Sequence, residues 1–200
     1  AWELCSDAPQ IDLERPCIIG VDAAPRRDKT AVVLDQRDEN GYHNVKSWTF
    51  DADPEAGLLD FDELKFLLRE LCATYNVSRI VVDPAHLFAI MDELNREGLP
   101  VEDFPQHANR MIPASMNLYD LIQLGRVRHG GDPLLTKHVL NAGAKEIPPS
   151  GWRLTKLSRT DNIDGAVALA MAAHIAESEW ALGGPSFAQS GGVWSLDVSL

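Results

Sequence analysis

Residues 17–24 read Cys-Ile-Ile-Gly-Val-Asp-Ala-Ala, and the rest of the chain is organised around this stretch. An apolar run rich in Ile and Val, bounded by turn-forming residues, predicts a buried strand. Asp22 ends that strand, so a carboxylate is placed beside a core. Such a charge is costly unless it is paired or bound to a metal ion. Taken by itself, Asp22 is more simply interpreted as the residue that ends the strand and begins a turn.

Segments with strand and helix signals alternate along the chain, and their order predicts an α/β fold. Three strands joined by short polar turns form an antiparallel meander, which is followed by alternating helices and strands. This order predicts a mixed sheet, the meander plus parallel strands, with helices on both faces. The predicted strands cover residues 17–22, 30–34, 45–50, 78–83 and 101–104, with a short strand or hairpin arm at 151–156. The predicted helices cover residues 61–75, 86–96, 116–124, 133–142 and 163–180.

The length of 200 residues fits one domain, which we expect over residues 1–182, including an N-terminal arm over residues 1–16. A Gly/Ser-rich stretch over residues 183–200 is expected to be a flexible tail. The three cysteines are widely spaced, which favours reduced thiols over a disulfide framework or a zinc site. The longest apolar run, residues 165–176, is too short to span a bilayer. We therefore expect a cytoplasmic protein without a membrane partner.

The formal net charge of −12 argues against a general nucleic-acid coat protein. The charge is uneven, because residues 104–160 carry eight basic side chains and only three acidic ones. A locally basic face on an acidic protein can bind a polyanion. The alternative is that these basic residues are scattered over a solvated surface.

Two more apolar segments carry acids that belong with Asp22. Asp83 ends the fourth predicted strand, and Asp164 opens the final predicted helix. If the first and fourth strands are parallel neighbours, Asp22 and Asp83 leave the same edge of the sheet, where α/β proteins bind ligands. Three carboxylates at one point repel each other, and hard oxygen ligands suit Mg²⁺ or Mn²⁺. The alternatives are a turn residue for Asp83 and a first-turn or capping acid for Asp164, although Asp161 fits the capping role better.

The ordered set of these segments resembles a known family. The residues that carry the resemblance are Ile19-Gly-Val-Asp22-Ala-Ala with Asp28-Lys-Thr-Ala31 after it, Ile80-Val-Val-Asp83-Pro84, Arg126-Val-Arg-His129 before Asn141, Leu154-Thr-Lys156 and Ile163-Asp-Gly-Ala-Val-Ala-Leu169. Together they resemble the ribonuclease-H-like nuclease fold, and more closely the C-terminal nuclease domain of the large terminase subunit of tailed bacteriophages. The resemblance extends from about residue 17 to residue 176.

The resemblance implies a metal-dependent endonuclease that cuts concatemeric viral DNA during genome packaging. It implies that Asp22, Asp83 and Asp164 are catalytic and hold two Mg²⁺ or Mn²⁺ ions, which would hydrolyse the phosphodiester bond together. It also implies auxiliary metal-binding roles for Asp28 and Asp161. The alternative for Asp28 is a turn acid, and the alternative for Asp161 is the cap of the final helix.

The same resemblance implies that double-stranded DNA is bound by basic residues near the site. Lys156 matches a basic position before the last acid and is expected to contact the scissile phosphate. Arg128 and Arg153 are expected to follow the DNA backbone. The alternative for all three is a solvated surface charge.

A complete large terminase also carries an ATPase motor with a Gly-x-x-x-x-Gly-Lys-Ser/Thr loop, which does not occur here. We therefore expect an isolated nuclease domain, separated from its motor domain. The resemblance implies further partners, the terminase small subunit and the portal protein, in the cytoplasm of the host cell. Two other functions stay open: another ribonuclease-H-like nuclease, such as a junction resolvase or ribonuclease H, and a non-catalytic module that docks to the portal.

Overall fold

The computed structural model describes residues 1–23, 29–50 and 61–183. A short 3₁₀ helix at Trp2–Cys5 precedes the main elements. The strands are β1 Cys17–Asp22, β2 Thr30–Arg37, β3 His43–Phe50, β4 Val77–Val82, β5 Val101–Asp103, β6 Val127–Arg128, β7 Ala142–Ile147 and β8 Gly151–Lys156. The helices are α1 Phe61–Thr74, α2 Pro84–Arg96, α3 Ala108–Gln123, α4 Pro133–Leu140 and α5 Asp164–Ala181.

Six strands form one mixed sheet in the order β5-β4-β1-β2-β3-β6. The β1, β2 and β3 strands are an antiparallel meander, whereas β4 pairs in parallel with both β1 and β5. The predicted meander and the predicted parallel pairing of the first and fourth strands are therefore both confirmed. The β7 and β8 strands form a separate antiparallel hairpin.

Alternation along β1 assigns its side chains to two cores, because successive residues of a strand point to opposite faces. Ile19 and Val21 pack in a core with the apolar stripes of α1 and α2. Ile18 packs in the other core, with α3, α4 and α5. The sheet is thus covered by helices on both faces, as the order of elements predicts.

The α5 helix lies very close to the sheet, and Gly20 is the reason that it can. A Cβ atom built on Gly20 would lie 2.1 Å from the backbone oxygen of Ala168 and 3.2 Å from the Cβ of Ala172. Along α5, residues 164–173 are all buried, and six of these ten are alanines or glycine. Small residues on both elements therefore let the helix backbone rest on the strand backbone.

The far end of α5 is held by a buried cluster of charges. The imidazole of His43 donates from Nδ1 to Asp35 Oδ2 (2.7 Å) and from Nε2 to Glu177 Oε1 (2.9 Å), and His43 and Asp35 are fully buried. Arg37 Nε donates to the same Glu177 oxygen at 2.6 Å, and its guanidinium lies over the Trp180 ring. Burial alone would lower the pKa of His43, but the two carboxylates outweigh it and raise that pKa to about 9.

The structure differs from the predicted elements mainly in the second half of the chain. The β6 strand has only two residues, and β7 reads Ala-Gly-Ala-Lys-Glu-Ile without apolar alternation, so neither was predicted. The β8 strand confirms the predicted hairpin arm. No helix among the described residues combines the length and the apolar character needed to cross a membrane. The predicted flexible tail lies outside the described residues, apart from Gly183.

We expect Gly20→Ala to destabilise the protein by about 1–3 kcal/mol or more, because the added methyl would force α5 away from β1. Chemical denaturation measures the loss. Gly143→Ala is the matched control in β7, since its Cβ would meet only the flexible end of the Leu157 side chain. An equal loss for the two variants would contradict this account of Gly20.

Stability should fall as the pH rises from about 6.5 through about 9, because the folded state binds the His43 proton more tightly than the unfolded chain. The stabilisation is fully present below the unfolded pKa and amounts to roughly 3 kcal/mol, at about 1.4 kcal/mol per pKa unit. Urea unfolding across this range should show a shallower dependence for His43→Gln. The exposed His107 supplies the control, since His107→Gln should keep the wild-type slope.

Candidate active site at the carboxyl edge of the sheet

The two strand acids leave the sheet side by side. Asp22 is the last residue of β1, and Asp83 directly follows β4. Val21 is paired in register with Val82, so the next position on each strand is an acid. By alternation both acids point to the face covered by α5. Asp164 is the first residue of α5 and is 6% exposed.

The local structure fixes the backbone at each of these acids. Asp83 Oδ1 accepts a hydrogen bond from Ala85 N (3.1 Å) and caps α2, which begins with Pro84. At α5, His138 Nδ1 accepts from the backbone N–H of Gly165 at 2.9 Å. Each N-terminal turn therefore has a hydrogen-bond acceptor for one of its backbone N–H groups.

The alternative interpretation of Asp161, as the cap of the final helix, is wrong. Ile163 occupies the capping position of α5, and Asp161 Oδ2 instead accepts from Ser158 N at 2.9 Å. The buried His138 of α4 supplies the acceptor that the cap lacks. Asp161 therefore stabilises the turn before α5, and a metal-binding role for it stays a prediction.

The electrostatics of Asp22 show that the three acids share one environment. Burial, with the negative charges of Asp164 and Asp83, raises the pKa of Asp22 to about 7. A hydrogen bond from Gln106 and the positive charge of Lys156 act in the opposite direction. A proton is one way to relieve this repulsion, and a bound cation is another.

The donor chemistry of these acids fits a hard divalent cation. Carboxylate oxygens are the ligands that Mg²⁺ and Mn²⁺ prefer, and a cation would offset the mutual repulsion of the acids. In the part of the chain that the structure describes, however, no three His, Cys, Asp or Glu side chains lie close enough together to hold one metal ion. The three acids are therefore neighbours, but their carboxylates do not converge on one position. Asp28, the other predicted metal ligand, lies outside the described residues.

Gln106 is a site residue that the sequence did not indicate. It lies between β5 and α3, and its Nε2 donates to Asp22 Oδ1 at 2.8 Å. Its backbone oxygen accepts from Arg153 Nη1 at 3.3 Å. A lone glutamine in a loop carries no recognisable pattern, and the contact joins residues 84 positions apart.

The three predicted DNA-binding residues are not grouped together. Lys156 ends β8 and acts electrostatically on Asp22, so it belongs to the neighbourhood of the acids. Arg153 precedes it on the same strand and contacts Gln106. Arg128 pairs in register with Asn44 at the opposite edge of the sheet, where its guanidinium lies 3.8 Å from the Tyr42 ring centroid. The structure does not bring Arg128 to the acids.

These features define an α/β protein with an acidic site beyond the carboxyl ends of its central strands. A family model described as terminase large subunit, endonuclease domain, matches residues 36–179. Because the match covers more than half of the chain, the chain belongs to this family.

Two curated proteins are similar to most of this chain. The large terminase subunit of Enterobacteria phage HK97 is 28% identical over 89% of this chain and 40% of its own length. Protein YmfN of Escherichia coli K12 is 26% identical over 86% of this chain and 46% of its own. The chain therefore spans less than half the length of these two curated relatives.

Solved structures confirm the predicted ribonuclease-H-like fold. The crystal structure of the HK97 large terminase aligns with a TM-score of 0.78 and 25% identity, covering 88% of this chain and 42% of that one. The large terminase nuclease of thermophilic phage G20c, solved with bound magnesium, aligns with a TM-score of 0.64. At 17% identity over 86% of this chain and 93% of that one, the G20c likeness concerns the fold alone.

We expect Asp22→Asn to stabilise the metal-free protein at pH 8 by roughly 1–3 kcal/mol, allowing for solvent screening of a partly exposed group. The raised pKa means that the folded state resists the charged form, so the penalty is full above about pH 7 and absent below about pH 4. Urea unfolding with EDTA at both pH values measures the difference. The control is Asp120→Asn, which removes an exposed acid of α3. An equal gain in stability there would contradict the repulsion among the three acids.

Proposed function

We propose that this chain is a divalent-metal-dependent DNA endonuclease that cuts concatemeric viral DNA during genome packaging. The observation that carries the proposal is the gathering of Asp22, Asp83 and Asp164 at one edge of the sheet, where burial and the negative charges of Asp164 and Asp83 raise the pKa of Asp22 to about 7. Three acids gathered beside a core repel each other and lower stability, and a bound cation would offset that repulsion. Membership of the terminase endonuclease family supports the same function.

The three acids would hold two Mg²⁺ or Mn²⁺ ions between the ends of β1 and β4 and the start of α5. When bound, such ions activate water and stabilise the leaving oxygen in phosphodiester hydrolysis. The chain itself supplies rigid placement. Asp22 is fixed by the sheet, Asp83 by the first turn of α2, and Asp164 by a helix packed tightly on the sheet. Precise placement of ligands is what favours the reacting geometry.

Lys156 is the proposed contact to the scissile phosphate, because it already lies in the electrostatic neighbourhood of Asp22. Arg153, on the same strand, is proposed to contact the DNA backbone beside it. Arg128 would contact DNA only if the bound duplex extended well beyond the acids, since Arg128 lies at the other edge of the sheet. As the two curated relatives are more than twice as long, we propose that an ATPase motor domain, the small subunit and the portal protein act with this chain in the host cytoplasm.

The purified chain should nick and linearise supercoiled plasmid with Mg²⁺ or Mn²⁺ and leave it intact with EDTA. Asp83→Asn should lower the rate at least about 100-fold, since even the loss of outer-sphere partners of a metal site costs about 10–100-fold. The matched control is Asp92→Asn, which removes an exposed acid from the same helix. Gel analysis of initial rates makes the comparison.

Other outcomes would select the alternative functions. Cleavage of four-way junctions or of RNA–DNA hybrids in preference to linear duplex would favour a resolvase or a ribonuclease H. A folded chain that cuts nothing with either metal would contradict the proposal and favour a docking module. Cleavage that persists in Asp83→Asn would place the active site elsewhere.

A further inference from the structure

Gln106 contacts Asp22 directly through its side-chain amide, and its position is fixed from several sides. Two residues earlier, Phe104 is fully buried and its backbone N–H donates to Val82 O at 2.7 Å. One residue later, His107 begins α3. From the hairpin, Arg153 Nη1 donates to the backbone oxygen of Gln106. A loop residue held by a strand, a helix and a hairpin presents its side chain in a defined direction.

The bond from Gln106 to Asp22 restricts the carboxylate without neutralising it. The side-chain amide donates to one oxygen, Oδ1, at 2.8 Å. A hydrogen bond to one oxygen fixes the rotation of the carboxylate plane and therefore the direction of the second oxygen. Because an amide carries no charge, this hydrogen bond does not cancel the negative charge that Asp22 offers to a cation. A lysine in the same place would form an ion pair and compete with the metal.

We propose that Gln106 is a positioning residue that orients Asp22 for divalent-metal binding, with Arg153 holding its backbone in place. The inference rests on the proposed function, because it assigns Gln106 to the metal site of that nuclease. Outer partners that orient a ligand are a general requirement of metal sites, and their loss weakens metal binding. The structure thereby links the β7–β8 hairpin to Asp22 through two consecutive contacts.

Gln106→Met tests the proposal, since Met has a similar length but no donor. Titration calorimetry of the DNA-free chain with Mn²⁺ should show about tenfold weaker binding. The Mn²⁺ concentration for half-maximal cleavage should rise by a similar factor, while the rate at saturating Mn²⁺ stays close to that of the wild type. A purely structural role would lower the saturated rate and the stability instead.

Gln123→Met is the matched control, because Gln123 is an exposed glutamine at the other end of α3. It should bind Mn²⁺ as the wild type does. If Gln106→Met does not fold, Gln106→Asn provides the same comparison, since its amide is one methylene too short to reach Asp22. A nuclear magnetic resonance spectrum of the metal-free chain gives a second readout. The Gln106 side-chain N–H should be protected from exchange, and removing the acceptor with Asp22→Ala should abolish that protection.

The outcomes separate this inference from the proposed function. Unchanged Mn²⁺ binding in a folded Gln106→Met chain would overturn the role of Gln106 and leave the nuclease intact. A wild-type chain that binds Mn²⁺ without cutting DNA would overturn the proposed function, while weaker binding in Gln106→Met would still support the positioning role. A wild-type chain that binds no Mn²⁺ would overturn both.

Discussion

The close approach of α5 to β1 is the constraint on which the rest of the structure depends. Gly20 leaves no side chain between the strand and the Ala168 carbonyl, so the helix rests directly on the middle of the sheet. This contact sets the height at which the first turn of α5 meets the sheet edge. Asp164 therefore shares an environment with Asp22, and a larger residue at position 20 would lift the acid away with the helix. A residue without a side chain at position 20 is therefore required both for the packing of the core and for the placement of Asp164 near Asp22.

Buried charges are arranged in opposite ways at the two ends of α5. At the C-terminal end, His43, Arg37 and two carboxylates alternate in sign and are joined by hydrogen bonds. At the N-terminal end, acids face acids, and the pKa of Asp22 rises because burial and repulsion disfavour its charge. The first arrangement stabilises the fold, and the second stores unfavourable energy that a ligand can release. The stabilising contacts at the C-terminal end of α5 offset the unfavourable repulsion between acids at its N-terminal end.

Local signals in the sequence were enough for five of the six strands of the central sheet and for the positions of Asp22, Asp83 and Asp164 at the ends of their elements. At β1 and at β4, an apolar run followed by Asp predicts a buried strand with an acid at its end. The structure pairs these two strands in parallel. The missed features depend on tertiary contacts. Two-residue β6 has no periodicity, and β7 is formed only because β8 pairs with it. Asp161 matches the spacing of a capping acid, yet His138 from α4 takes that place, which no local pattern can reveal. The role of Gln106 could not be predicted either, because its contact with Asp22 is a tertiary one.

The arrangement around Asp22 divides attraction for cations from attraction for phosphates. Its direct hydrogen-bond donor is a neutral amide, whereas the positive charge of Lys156 acts on it electrostatically from the end of β8. A charged donor in direct contact with Asp22 would cancel the negative field that is proposed to attract metal ions. Without any basic residue near the site, three acids and a net charge of −12 would repel a polyanion. In the proposed nuclease, a neutral amide on Asp22 and a separate positive charge on Lys156 would let one edge of the sheet attract both a divalent cation and a DNA backbone.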